Sequence, residues 1–371
     1  MKILINASNL KKGGGLQVAD SVCRELYKYP QHEFVVVFSS CFDNTKEIIE
    51  GYKNVSVYTY NIKNSISTFL FGRDDYLDGL IKDNNIDAAL TIFGPSRWIP
   101  KVPHLSGFAQ GHLVLPDSPY WNMLKFKQRL RMKTKLFMIQ RSLDKCANYY
   151  FTENPLITER LKKLYPQKQI YTVTNNVNQV FYHPEQWDRS IKLPEYDGLA
   201  LLTVAANYPH KNLSIIVPAT KWLVDNHPDL HFRFILTIRE EDMPELDPVV
   251  REHIVFLGKV NIAQVPYLYE QSDFMLLPTL LECFSASYAE AMVMQKPILT
   301  TDLVFARGLC EDAALYFKAT SPIELGKAIV RLSKDEILRK KLVAAGKKRI
   351  MNFDTPAQRA EKLIKIVESI A

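Results

Sequence analysis

The chain lacks most of the features that assign a class at a glance. Its five cysteines, Cys23, Cys41, Cys146, Cys283 and Cys310, form no CxxC pair. That speaks against a zinc site and predicts a reducing, cytosolic compartment. No apolar run approaches the roughly 20 residues of a membrane span. The opening MKILINASNL has a lysine but no long apolar core and no small-residue cleavage site, so it reads as a first strand and not as a signal peptide. Low-complexity tracts and short-period repeats are absent. With 47% hydrophobic and 23% charged residues, the balance is that of a soluble globular protein. At 371 residues one large or two medium domains are expected.

Acid is missing where base is dense. Lys125 to Lys135 carries six basic residues and no acid, and Arg141 follows. Phe126, Leu130, Phe137 and Met138 fall among them, so a helix here is basic and partly apolar. Such a helix is either a solvated face or one drawn to an anionic membrane surface or a phosphate-bearing acceptor. No nucleic-acid motif accompanies it, and nucleic acid is not expected as a partner. A dinucleotide fingerprint is missing too. Gly13, Gly14 and Gly15 follow the strand-like Lys2–Ala7 but do not spell GxGxxG, and the next strand, Phe34–Phe38, ends in Ser39-Ser40 instead of an acid. Three glycines suit a tight turn, or a loop that lets a ligand approach the backbone.

What is present is alternation. Strand-like runs at Val55–Tyr60, Ala88–Phe93, Tyr149–Thr152 and Gln169–Val173 alternate with helical spacing at Leu16–Tyr29, Tyr76–Lys82 and Pro155–Leu164. Ser106–Leu115 reads as strand then loop, with His112 at the turn. Residues 175–196 are polar and linker-like. A second series begins at Leu199–Ala205 and runs through Phe232–Ile238, Ile254–Leu257, Pro297–Thr300 and Ala314–Phe317, with helices at Ser214–Asn226, Val265–Gln271, Ile323–Ser333 and Glu336–Asn352. Two successive βα series imply an α/β protein of two Rossmann-like domains facing each other across a cleft. We place them at residues 1–185 and 196–354. A final amphipathic segment, Pro356–Ala371, follows the N-cap candidate Thr355 and is assigned to the first domain.

The most informative stretch is Leu276–Leu299. The apolar run Phe274–Leu277 reads as a buried parallel strand, Pro278 and Thr279 break it, and helical spacing runs from Ser285 to Met294. A helix start facing the end of a parallel strand offers backbone N–H groups and a positive dipole end, a fit for a diphosphate. A carboxylate about two turns into such a helix, as at Glu290, could accept hydrogen bonds from vicinal sugar hydroxyls.

PTLLECFSASYAEAM, residues 278–292, resembles the PSxxEGFGLxxxEAM block of retaining family-4 glycosyltransferases with the GT-B fold. Its paired acids are Glu282 and Glu290. VAANYPHKN, residues 204–212, is similar to that family's VGRLxxxKN loop. TVTNNVNQVFYHP, residues 172–184, resembles its IPNGVDxxxFxP segment, and residues 258–274 its GxVxxxxLxxLYxxADxF stretch. The glycine loop and His112 also fall where the family has them. The departures are Ala206 where arginine is usual, Cys283 and Ser285 in place of both glycines of EGFG, and LTIR at 236–239 without its glycine.

The resemblance implies transfer of a hexose-type sugar from a nucleotide diphosphate sugar, with retention, to a glycan or lipid-linked acceptor in surface polysaccharide biosynthesis. It implies no metal and no further cofactor, consistent with the lack of a DxD motif in a strand-end loop. Catalytic roles fall to Glu282, His112 and Lys211. The donor would be bound by Gly14, Gly15, Asn207, His210, Lys211, Glu290 and the backbone near Phe284, Ser285 and Ala286, with Asn207 or His210 standing in for the missing arginine. The alternatives are a nucleotide-sugar 2-epimerase of the same architecture and an inactive nucleotide-sugar-binding protein.

Overall fold

The computed structural model describes residues 1–11, 13–62 and 71–371. The chain divides into two compact units, Met1–Pro116 with Leu124–Asn175 and Asp354–Ala371, and Asp117–Met123 with Asn176–Phe353.

The first unit is built on seven parallel strands, β1 (Lys2–Ala7), β2 (Glu33–Phe38), β3 (Val55–Thr59), β4 (Ala88–Gly94), β5 (His104–Phe108), β6 (Tyr149–Thr152) and β7 (Gln169–Thr172), in the order β3-β2-β1-β4-β5-β6-β7. Parallel strands are covered on both faces, and alternate residues of β1 and β2 divide between two cores. Ile3, Ile5, Phe34, Val36 and Phe38 join one; Leu4, Val35 and Val37 join the other with Leu77, Leu80 and Trp98. Into the first core the last helix, Pro356–Ile370, sends Leu363, Ile364 and Val367. Its start is set by a reciprocal cap. Gln358 N donates to Thr355 Oγ1 at 3.3 Å, and Thr355 N donates to Gln358 Oε1 at 3.0 Å.

The second unit carries six parallel strands, β8 (Leu199–Thr203), β9 (Phe232–Leu236), β10 (Ile254–Phe256), β11 (Phe274–Leu277), β12 (Ile298–Thr301) and β13 (Ala314–Phe317), in the order β10-β9-β8-β11-β12-β13. Its core gathers Leu201, Phe234, Leu276 and Leu299 from the strands and Leu223, Leu325, Ile329 and Leu332 from the helices.

Several elements differ from the sequence expectation. The first helix is Gly14–Cys23, and a separate 3-10 turn, Leu26–Lys28, follows it. His112 lies in one helical turn, Gly111–Val114, and not in a loop. That turn tucks Val114 and Leu115 into the interior, and Pro116 stops it. The helix Val304–Cys310 has no counterpart in the sequence reading.

Candidate functional site

In the second unit the strand order reverses between β8 and β11. Loops leaving the carboxyl ends of two such strands diverge and open a crevice, which is where ligands bind in doubly wound sheets. The two loops are residues 204–212 and 278–285, the segments singled out by sequence, and the structure ties them together. Leu280 N donates to His210 O at 2.7 Å. Thr279 Oγ1 lies 3.1 Å from His210 O and 3.0 Å from Glu282 Oε1, so its single proton serves one of them at a time. Ser287 Oγ donates to Val204 O at 3.1 Å.

Lys211 and Glu282, 71 positions apart, meet here. Lys211 Nζ donates to Glu282 Oε1 at 2.5 Å, and the side chains are only 13% and 11% exposed. An ammonium has three hydrogens, so this bond leaves two to offer an anion. The carboxylate fixes the direction of a side chain that would otherwise sample many rotamers.

Glu290 stands inside the helix Ala286–Val293, which Ser285 opens in an extended conformation (φ −124) without a side-chain cap. The carboxylate is buried, and its Oε2 lies 3.2 Å from Tyr269 Oη, whose single proton serves either it or Ser287 O, also at 3.2 Å. Burial pushes the Glu290 carboxyl up to about 7, against the hydrogen bond from Tyr269 and the charge of Lys211. The ring of Phe284 packs edge-on against Phe353 with centroids 5.8 Å apart. Phe284 is therefore held as a packing residue, and what it can give a ligand is its backbone. Ser285 is buried and Ala286 half-buried beside it.

The structure separates the two stand-ins for arginine. Asn207 is exposed and its amide donates to Asp242 O. His210 is half-buried, stacked on Tyr208 (centroids 5.5 Å, 7° between planes) and edge-on to Tyr120 at 6.4 Å. Burial holds its imidazole below the ordinary value; Glu282 opposes that shift and Lys211 adds to it. Ala206 is exposed and supplies no charge.

The remaining candidates lie in the first unit, at the matching reversal between β1 and β4. Gly13 has φ 81, a conformation that favours glycine. A Cβ on Gly14 would meet nothing within 4 Å, whereas one on Gly15 would come within 3.2 Å of the Leu10 side chain and 3.5 Å of Phe93. The backbone at Gly14 is thus the open side of the loop. Asn9 Nδ2 donates to Phe93 O at 2.7 Å and Gln110 Nε2 to Gly94 O at 3.3 Å, which joins the loops after β1 and β5 to the end of β4. His112 is half-buried, two residues beyond Gln110. Thr279, Tyr269 and Ser118 were not singled out by sequence. Thr279 adjoins the acidic loop and could have been; Tyr269 and Ser118 reach their partners from distant positions and leave no local signal.

Residues 184–349 match the family model described as glycosyl transferases group 1. A phosphatidyl-myo-inositol mannosyltransferase of Mycobacterium leprae is 25% identical over 166 residues, 44% of each chain. An O-antigen chain mannosyltransferase of Salmonella typhimurium is 21% identical over 206 residues, 53% of each. The chain thus spans about half the length of the curated relatives it matches. Among solved structures, sucrose-phosphate synthase from Thermosynechococcus elongatus has the same fold, with a TM-score of 0.70, 13% identity and coverage of 99% and 98%. The chain therefore has the two-domain α/β architecture of the GT-B glycosyltransferases, and its residues 184–349 match the glycosyl transferases group 1 family.

Proposed function

We propose that the protein transfers a hexose-type sugar from a nucleotide diphosphate sugar to a glycan or lipid-linked acceptor, with retention at the anomeric carbon and without a metal. The observation that carries this reading is the Lys211–Glu282 pair, set at the sheet reversal next to a helix start. When the glycosidic bond to the diphosphate breaks, negative charge grows on the leaving oxygens. Two free ammonium hydrogens of Lys211 and the N–H groups near Phe284, Ser285 and Ala286 meet that charge already oriented, which is how electrostatic stabilisation lowers a barrier. Glu290 accepts hydrogen bonds from the donor ribose, Glu282 lies along the transferred sugar, and His112 contacts sugar or acceptor. Retention follows when the acceptor attacks from the face the leaving group departs. Mannosyl transfer to a lipid and to O-antigen, in the names of the two curated relatives, supports an acceptor in surface polysaccharide assembly.

A thermal-shift screen of UDP, GDP, ADP and CDP sugars tests the reading, because a ligand bound only to the folded state raises its stability. One donor class should stabilise the protein and turn over with chelator present. Epimerised donor as product would favour the epimerase, and binding without turnover an inactive protein.

An anionic membrane surface as partner is supported by the helix Phe126–Cys146, of which only Leu143 and Cys146 are buried. Phe126, Leu130 and Phe137 are 81%, 57% and 64% exposed, and their spacing of four and seven places them along one stripe. Lys133, Arg129 and Arg141 flank that stripe. The helix is fixed at its other end by Lys168, whose Nζ donates to the carbonyls of Leu143 and Asp144 at 3.0 and 2.8 Å. Among the described residues no helix is long and apolar enough to cross a membrane. Attachment would therefore be by an interfacial helix.

A further inference from the structure

Seven residues leave the first unit at Pro116, pack as part of the second, and return at Leu124. This segment, Asp117–Met123, ends beside the two charged loops. Ser118 is buried, and its Oγ donates to Leu280 O at 2.6 Å while accepting from Tyr120 N at 3.1 Å. Leu280 N in turn donates to His210 O. Hydrogen bonds thus link Tyr120 N to the Ser118 hydroxyl and that hydroxyl to the Leu280 carbonyl, while the N–H of the same residue holds the His210 carbonyl. The last two of these residues adjoin the charged pair in sequence, since Lys211 follows His210 and Glu282 lies two residues beyond Leu280. Tyr120 acts a second time through its ring, which is 4% exposed and meets the His210 imidazole edge-on. Tyr208, Glu282 and Lys211 also face that imidazole.

We propose that Ser118 and Tyr120 are positioning residues for the donor diphosphate, acting through the Leu280 backbone and the His210 ring to hold Lys211 and Glu282 in register. The proposal rests on the reading of residues 204–212 and 278–285 as the donor loops. Its physical content is pre-organisation. A loop held at Leu280 through both its carbonyl and its N–H arrives at its ligand already ordered, whereas a loop released from Ser118 must be ordered at the moment of binding. The strap need not touch the ligand to do this.

The test is calorimetric titration of the full chain with whichever of UDP, GDP, ADP or CDP it binds, on wild type, Lys211→Ala, Ser118→Ala, Tyr120→Ala and Tyr120→Phe. Loss of the Ser118 hydroxyl or of the Tyr120 ring is expected to weaken binding about tenfold, the scale of one buried hydrogen bond. Tyr120→Phe keeps both the ring and the backbone N–H and should bind as wild type does. Loss of affinity in Tyr120→Ala with the melting temperature of the unliganded protein unchanged is the readout that a merely space-filling role of the ring would not give. Should Ser118→Ala fail to fold, the Tyr120 pair decides alone. Wild-type affinity in Tyr120→Ala, with Lys211→Ala impaired, overturns the strap and leaves the donor reading standing. So does equal weakening in Tyr120→Ala and Tyr120→Phe. A wild-type chain that binds none of the four nucleotides overturns the donor reading, and the strap with it.

Discussion

At the scale of single residues, the site consists of charges kept out of water by specific partners. Removing Lys211 removes the one full positive charge of the pair, and Lys211→Ala should cost about 2–4 kcal/mol of transition-state stabilisation, roughly 30- to 1,000-fold in kcat. Turnover within a few-fold of wild type in the folded variant would exclude Lys211 from the chemistry. Glu290 makes a different prediction. Its carboxyl titrates near 7 in the folded protein, above the ordinary carboxylate value. Between roughly 4.5 and 7 the folded state therefore holds a proton that the unfolded state has lost, and stability falls as pH rises through that window. Glu290→Gln has no charge to bury. Relative to wild type, the variant should gain about 3 kcal/mol between pH 4.5 and 8. Denaturant titrations at several pH values measure the difference, and parallel curves would contradict it. Glu153, also buried and pushed up to about 7, adds a slope of the same sign to both proteins and cancels in the comparison. Glu290→Ala should at the same time weaken nucleotide affinity, read by calorimetry.

At the scale of elements, legibility followed local chemistry. β1, β11 and the helix Pro155–Leu164 have the bounds expected from sequence, because an apolar run or a proline at the first turn marks both where they start and what they are. The two charged loops were legible for the same reason, since each follows a strand end. Contacts across the sequence were not. Nothing around Tyr269 announces that its hydroxyl will meet Glu290, and nothing in DSPYWNM announces a segment that packs on Leu280. The basic helix Phe126–Cys146 was legible as a helix, but its division into a packed end and an exposed stripe is a property of the fold. That stripe should bind phosphatidylglycerol vesicles at low salt and release them as salt is raised, because screening shortens the Debye length to about 10 Å at 0.1 M and 3 Å at 1 M. Phe126→Ser with Phe137→Ser should lower binding at every salt concentration. Sedimentation equal to that on phosphatidylcholine would remove the membrane from the account.

At the scale of the whole molecule, two units that each have their own core residues imply two separable stabilities. Leu363, fully buried in the first unit, anchors the last helix. Leu363→Ala should lower that unit's melting transition by the equivalent of about 2–5 kcal/mol. A bound nucleoside diphosphate should raise only the transition of the second unit. Differential scanning calorimetry resolves the two, and a single transition moved by both perturbations would show that the units unfold as one.

The chain passes from one unit to the other four times, at 116–117, 123–124, 175–176 and 353–354. No single cut in the gene can therefore release either half intact. A fragment starting at Asn176 would carry all six strands of the second sheet and still leave the Leu280 carbonyl facing a hole where Ser118 belongs. Anyone excising that half for crystallography or engineering would need to splice the missing heptapeptide back in, or supply it as a peptide in trans.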